Sequence, residues 1–436
     1  MISRANKTHN VAIIGAGWAG MSAAVELASQ GIPVTVFEAA KTLGGRARRV
    51  EMDGVAVDNG LHILIGAYRE ALRIIEKVSV RGQPSKLLRM PLQLRLEPGF
   101  RMRAARLPAP LHIAVALAFA RGLSVTEKFA AARFMHAQKF AGFECEPGLT
   151  VDVLLKRFQQ PSNLVSGLWA PLCISALNTS TDEADAQIFL NVLQDSLAGP
   201  CCASDLLLPK TDFSTLFPDP AADYVERNGG LVRRGSAVTS LRVLGNGFEV
   251  SAARTTRHTH AILAVGPHRL EQIAGEIGPL AAQLAMVRKF TYQPIFSVFL
   301  QYPEHVGLKV PMIGMRNGLS QWIFDRGQLC GQPGMLGVVI SASGIHQNLP
   351  QSELAQRVHQ ELEHRFALPE PRWSRVIAEK RATFACTPNL LRPENRTPIS
   401  GLFIAGDYTQ SRYPATLETA VRSGLACAQH ILMDDA

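Results

Sequence analysis

Asn10-Val-Ala-Ile-Ile-Gly15-Ala16-Gly17-Trp-Ala19-Gly20 joins a short apolar run, without a gap, to three closely spaced glycines. Met21 to Gln30 then follows a helical pattern that stops at Gly31, and Ile32-Pro-Val-Thr-Val-Phe37 reads as the next strand. Strand, helix and strand make a βαβ unit, the opening of a Rossmann-type parallel sheet. Each glycine has a physical task. Gly15 makes the tight turn, Gly17 lets the backbone approach a pyrophosphate, and Gly20 lets helix and strand pack closely. The helix start adds free N–H groups and the positive end of a dipole. Ordinary turns also contain this glycine spacing, but here Glu38, followed by Ala39, ends the second strand. A carboxylate there accepts the ribose hydroxyls of an adenosine and repels a 2′-phosphate.

Working outward, Leu43-Gly44-Gly45-Arg46-Ala-Arg48 lies a few positions after the acid. Its glycines allow a loop to lie against a pyrophosphate, and Arg46 offsets phosphate charge. Asp58-Asn59-Gly60-Leu-His62 follows. Far along the chain, Gly401-Leu-Phe-Ile-Ala-Gly406-Asp407 ends another buried strand, and Tyr413-Pro-Ala-Thr416-Leu417-Glu418 leads into a helix running to Met433. That order of elements favours FAD over NAD. Gly406-Asp407 suits the ribityl–phosphate end, and N–H groups near Thr416 and Leu417 suit the flavin N1/O2 edge. Val238 is placed to face the adenine through its backbone. No second dinucleotide motif appears, since Gly245-Asn-Gly247 sits in a hairpin, and no cysteine near Tyr413 could tether a flavin. His62 is the best-placed titratable group for proton delivery, or else a residue that orders its loop.

A chain of 436 residues needs more than one lobe. With 47% hydrophobic and 19% charged residues it is globular. Its net charge of +9 admits nucleic acid, anionic lipid or an acidic ligand. The absence of zinc-finger spacing and of aromatic-interleaved basic repeats argues against nucleic acid. Seven scattered cysteines without CxxC speak against a metal site or a disulfide framework, and for a reducing, cytoplasmic setting. The glycines after Val11 break what could otherwise pass for a secretion signal. Arg101, Arg103 and Arg106 precede the apolar stretch Leu107–Ala120, and Arg121 follows it. Such a stretch is either a surface helix docking peripherally on the inner face of a membrane or a core helix with solvated arginines.

The fold expected is therefore α/β, mixed with α+β: a Rossmann-type FAD lobe interleaved with a substrate lobe. Residues 1–86, 216–275 and 395–436 fall to the FAD lobe. Residues 87–215, read as apolar and basic helices, form the helical part of the substrate lobe, and 276–394 its antiparallel sheet. One of the helices is expected to be capped by Thr181, with Asp182 and Glu183 in its first turn.

The glycine and Gly-Gly-Arg loops with the C-terminal segment are similar to those of flavin amine oxidases and carotenoid desaturases. Asp58 to His62, Gly66-Ala-Tyr-Arg69, Pro108-Ala-Pro-Leu111, Trp169-Ala-Pro-Leu-Cys173, Ala176-Leu-Asn-Thr179, Leu207-Leu-Pro209 and Leu216-Phe-Pro218 narrow this. Nearly the whole chain resembles the squalene-associated FAD-dependent desaturases of bacterial hopanoid biosynthesis, the hydroxysqualene dehydroxylases. Leu61 stands where a more polar residue is expected. The resemblance implies an amine oxidase-like fold, non-covalent FAD, an external electron donor and reduction of a C30 isoprenoid allylic alcohol, hydroxysqualene, to squalene. The hydroxyl must leave as water, so an acid is required. His62 is the first candidate, with Asp195 and Asp205 behind it. Two other enzyme readings stay open: a desaturase of the phytoene type with electrons flowing the other way, and an amine oxidase in which Lys289, with Phe290 and Tyr292, would stand in for the usual lysine. A protein that merely holds FAD is a further possibility.

Overall fold

The computed structural model describes residues 9–80 and 82–433. Residues 1–8 and Arg81, within the first FAD segment, and 434–436, within the last, lie outside the described residues.

Five short strands form a parallel sheet in the order Leu231–Arg233, Val34–Phe37, Val11–Ile14, His260–Leu263 and Leu402–Ile404. The three central strands and Leu402–Ile404 are almost wholly buried, as continuous Val/Ile runs require when helices cover both faces of a sheet. Helix Trp18–Ser29 packs against helix Leu417–Met433, the C-terminal helix expected from the sequence. They meet backbone to backbone, since a Cβ on Gly424 would come within 2.0 Å of the Ala19 carbonyl oxygen. That crossing fixes the C-terminal segment beside the first glycine loop.

A second sheet runs Trp373–Phe384, Tyr292–Gln301, Met335–Ser341, Trp322–Asp325, Met312–Met315, Gln93–Glu97, Phe100–Arg103. It is antiparallel except where Met312–Met315 meets Gln93–Glu97. Helix Gln351–Phe366 buries Leu354, Val358 and Leu362 in the core that this sheet shares. The register against Trp373–Phe384 shifts between Gln293 and Ile295. Pro294 lies there, with no N–H to give the ladder.

Three expectations need correction. The stretch from Leu87 is not helical at its start, because Leu87–Met90, Gln93–Glu97 and Phe100–Arg103 are strands. In Phe100–Arg103 buried and exposed residues alternate with a period of two. The helix expected to start at Thr181 is Ala186–Ser196, capped by Asp185, whose carboxylate accepts the Ile188 N–H at 2.8 Å. Leu107–Ala120 contains only the helix Leu111–Ala118. Pro108 and Pro110 ahead of it cannot continue helical hydrogen bonding, so residues 107–110 run as exposed chain.

Candidate active site

The two glycine loops touch. Gly44 N–H donates to the Ala16 carbonyl at 3.0 Å, and Gly17 and Gly44 form a parallel bridge. Gly44 has φ +117°, and a Cβ there would strike the Ala47 carbonyl oxygen at 2.5 Å. Gly17 is the N-cap of helix Trp18–Ser29 and offers no side chain to its first N–H groups. Nothing lies within 4 Å of where its Cβ would stand, so the cradle above the helix start is open.

Glu38 lies against the first glycine loop. One carboxylate oxygen accepts the Ala16 N–H and the other the Ala40 N–H, both at 2.8 Å. The acid is thus aimed by the backbone it sits against. Ala39 beside it is exposed, Ala16, Ala19 and Gly20 are buried, and Val238 is half-buried in the loop after Leu231–Arg233.

Arg46 is held by two protein partners. Its guanidinium donates to Asp407 Oδ1 and to the Ala382 carbonyl, both at 2.6 Å. Burial works against its charge, and Asp407 more than offsets this, so its pKa is raised. The pair ties the Gly-Gly-Arg loop to the strand end at Gly406, whose own N–H donates to Ser423 of the C-terminal helix at 2.9 Å. Asn59 hangs from the same loop, its amide near the Arg46 carbonyl and the Glu379 carboxylate. Thr416 caps the C-terminal helix by accepting the Thr419 N–H at 3.2 Å, leaving Leu417 in its first turn.

His62 stands beside Gly60 and edge-on to Phe213, with ring centroids 5.2 Å apart. Nε2 is buried without a partner, and the Arg46 carbonyl lies close by. Burial first, and then the nearby Arg46 charge, push the imidazole pKa down to about 4. It is neutral at pH 7.

Asp195, on helix Ala186–Ser196, accepts the phenolic O–H of Tyr413. Asn191 of the same helix bonds the Arg412 carbonyl at 2.8 Å, and Gln194 takes the Arg412 side chain at 2.6 Å. The helix is therefore clamped to the segment that leads into Thr416. Burial, followed by the bond to Asp195, raises the Tyr413 phenol pKa. Asp205 instead faces Arg89 at 3.6 Å on another sheet edge. Lys289 is an exposed C-cap of helix Ala281–Arg288. Sequence reasoning quoted Tyr413 without giving it a role. Its pairing with Asp195, 218 positions away, leaves no local signal. Two clefts lie apart from these loops. One of about 340 Å³ is lined by Asp185, Cys386 and Arg392, and one of about 970 Å³ by His346, Glu361 and Arg365.

The sequence pattern of flavin-containing amine oxidoreductases matches residues 18–432. The chain belongs to that family. Within it, the chain is 28% identical to the hydroxysqualene dehydroxylase of Sinorhizobium fredii, over 98% of this chain and 99% of that one. It is 26% identical to the hydroxysqualene dehydroxylase of Rhodopseudomonas palustris, over 97% and 98%. Among solved structures, an oxidoreductase from Methanosarcina mazei superposes with a TM-score of 0.74 at 16% identity, covering 96% of this chain and 100% of that one. The fold is that of the amine oxidoreductases, and the chain is a flavin-dependent oxidoreductase.

Proposed function

We propose that this family member removes the hydroxyl group of hydroxysqualene to give squalene, using non-covalently bound FAD. The end-to-end likeness to two hydroxysqualene dehydroxylases carries the reading. The residues fit the cofactor. Among the buried polar atoms lacking a protein partner, Trp18 Nε1 lies at the first glycine loop, His62 Nε2 in the Asp58–His62 loop and the Tyr408 hydroxyl just after Gly406-Asp407. Gly15, Gly17, Gly20, Gly44 and Gly45 would hold the pyrophosphate, Glu38 the ribose, Val238 the adenine, and Gly406 to Leu417 the flavin end. When bound and reduced, the cofactor would supply hydride to the substrate carbon.

The chain's own part is to move a proton and exclude water. Loss of an allylic hydroxyl needs an acid of suitable pKa. We assign proton delivery to the Asp195–Tyr413 pair, where an added proton is shared between two hydrogen-bonded oxygens. His62, held neutral, serves to keep its loop in place. An amine oxidase reading has less support, since the lysine considered for that chemistry, Lys289, is exposed.

The same proposal divides the chain into FAD segments 1–86, 216–275 and 395–436 and substrate segments 87–215 and 276–394. It places the enzyme in the cytoplasm at the inner membrane face, with an external electron donor. Among the described residues no helix is long and apolar enough to cross a membrane. The test is anaerobic incubation of dithionite-reduced holoprotein with hydroxysqualene. Squalene should form as the flavin reoxidises, and Asp195→Asn should slow this by roughly 10²–10⁴-fold at unchanged flavin content. Flavin that stays reduced, with no squalene, overturns the reading.

A further inference from the structure

Helix Val125–Phe140 is apolar on two opposite sides. Ala131, Phe134 and Gln138 are buried against the protein. Phe134 packs edge-on to Phe158 and Trp169. On the opposite side Val125, Phe129 and Phe140 are 67, 72 and 81% exposed. At 3.6 residues per turn, positions 125, 129, 132, 136 and 140 fall on one stripe, here Val, Phe, Ala, His and Phe. A helix bathed in water normally carries polar residues on that side. The neighbouring helix Leu111–Ala118 continues the patch with exposed Leu111, and Phe119 just beyond its end is 81% exposed. Leu107 to Pro110 extend it as exposed chain.

Cations outnumber acids around the two helices. Residues 101–140 hold seven Arg and Lys and a single acid, Glu127. That acid is turned inward, accepting the Ser124 N–H at 2.7 Å and the Asn163 amide at 2.8 Å. The backbones of Arg101 and Arg121 pair with one another, bringing two exposed cations onto adjacent chain segments. Lys128 is spent on the Ala118 carbonyl at 2.8 Å, closing the C-terminus of the shorter helix and fixing the two helices together. Arg103, Arg106, Arg133 and Lys139 remain exposed around the rings.

We infer that this two-helix face, led by Phe119, Phe129 and Phe140, seats the protein on an anionic lipid bilayer. The phenyl rings enter the acyl boundary while the arginines and Lys139 lie among the headgroup phosphates. The inference rests on the proposed function only in making the bilayer the source of the substrate. Its physical basis is the exposed rings and the charge around them, and it differs from the sequence expectation in centring on helix Val125–Phe140.

The test is co-flotation of purified holoprotein with phosphatidylcholine vesicles, with and without phosphatidylglycerol, and without any substrate. A failed dehydroxylation therefore leaves its result untouched. Wild type should float with the anionic vesicles, and less so as salt rises through the range in which the Debye length falls below about 8 Å. Burial of each ring is worth roughly tenfold, so Phe119→Ser with Phe129→Ser should weaken binding by at least tenfold while flavin content and melting temperature hold. Arg103, Arg106, Arg133 and Lys139 changed to glutamine should lessen the salt dependence. Wild-type flotation by the serine double variant overturns the inference, as does wild-type protein that floats with neither vesicle. Wild-type dimers that the double variant dissolves into monomers, with no flotation, would assign the face to self-association instead.

Discussion

Replacing His62 with glutamine separates the two tasks that a histidine at this loop could have. The ring is neutral because burial and Arg46 hold its pKa near 4, against an ordinary 6.5. At pH 7 only about one imidazole in a thousand would carry the second proton. If that rare imidazolium were the acid, the rate would rise tenfold for each pH unit down towards 4, and His62→Gln would lose roughly 10²–10⁴-fold. The structure leads to the other outcome. Reoxidation of the bound reduced flavin by hydroxysqualene, followed by stopped-flow absorbance from pH 6 to 9, should change less than about tenfold in His62→Gln. Stability supplies a second readout. A depressed imidazole contributes fully above pH 6.5 and loses that contribution as pH falls towards 4. The shift corresponds to about 3 kcal/mol. Urea unfolding at pH 7 and pH 4.5 should show wild type losing more stability across that interval than His62→Gln. A hundredfold rate loss in the variant, with a wild-type rate that climbs steadily with acid, would refute the reasoning.

Glu38→Ala should weaken FAD binding by roughly 2–4 kcal/mol, because ribose hydroxyls and the Ala16 and Ala40 N–H groups all lose their acceptor; fluorescence titration of the deflavinated protein would show an unchanged Kd if Glu38 plays no part. Acid precipitation should release all yellow colour as FAD, and colour retained in the pellet would mean a covalent flavin. Burial pushes the Asp58 carboxyl up to about 7 from 3.8, despite its bond from Phe213 N–H and the nearby Arg326. Its stabilising contribution is therefore complete below pH 3.8 and lost as pH rises through 7. Asp58→Asn should flatten the stability profile between pH 5 and 8, and identical profiles for the two proteins would remove Asp58 from it.

Local rules made the parallel-sheet half legible. The strand runs, the glycine spacing, Glu38 and the helix Leu417–Met433 each follow from chemistry within a few residues, and they fall where expected. Helix starts were less secure: Thr181 and Asp185 are both good caps four positions apart, and only the packed structure selects Asp185. The pairs that assemble the site were not legible at all. Arg46 meets Asp407 across 361 positions, and nothing in either loop announces it. The outward stripe of Val125–Phe140 was invisible for a different reason, since apolar periodicity does not say which side of a helix faces the core.

The parallel sheet brings together strands from Val11 to Ile404, and its central strand lies beside one made of residues 260–263. During synthesis at about 5–20 residues per second, the first glycine loop leaves the ribosome tens of seconds before the strand and helix that complete its cradle. The N-terminal βαβ unit must wait for them with its apolar edge unpaired. On the proposed assignment of the cradle, cofactor capture is a post-translational event, and the supply of FAD would act on a finished chain rather than on a growing one. A truncation that removes even the last helix would then abolish flavin binding, although most of the residues proposed to hold the nucleotide remain.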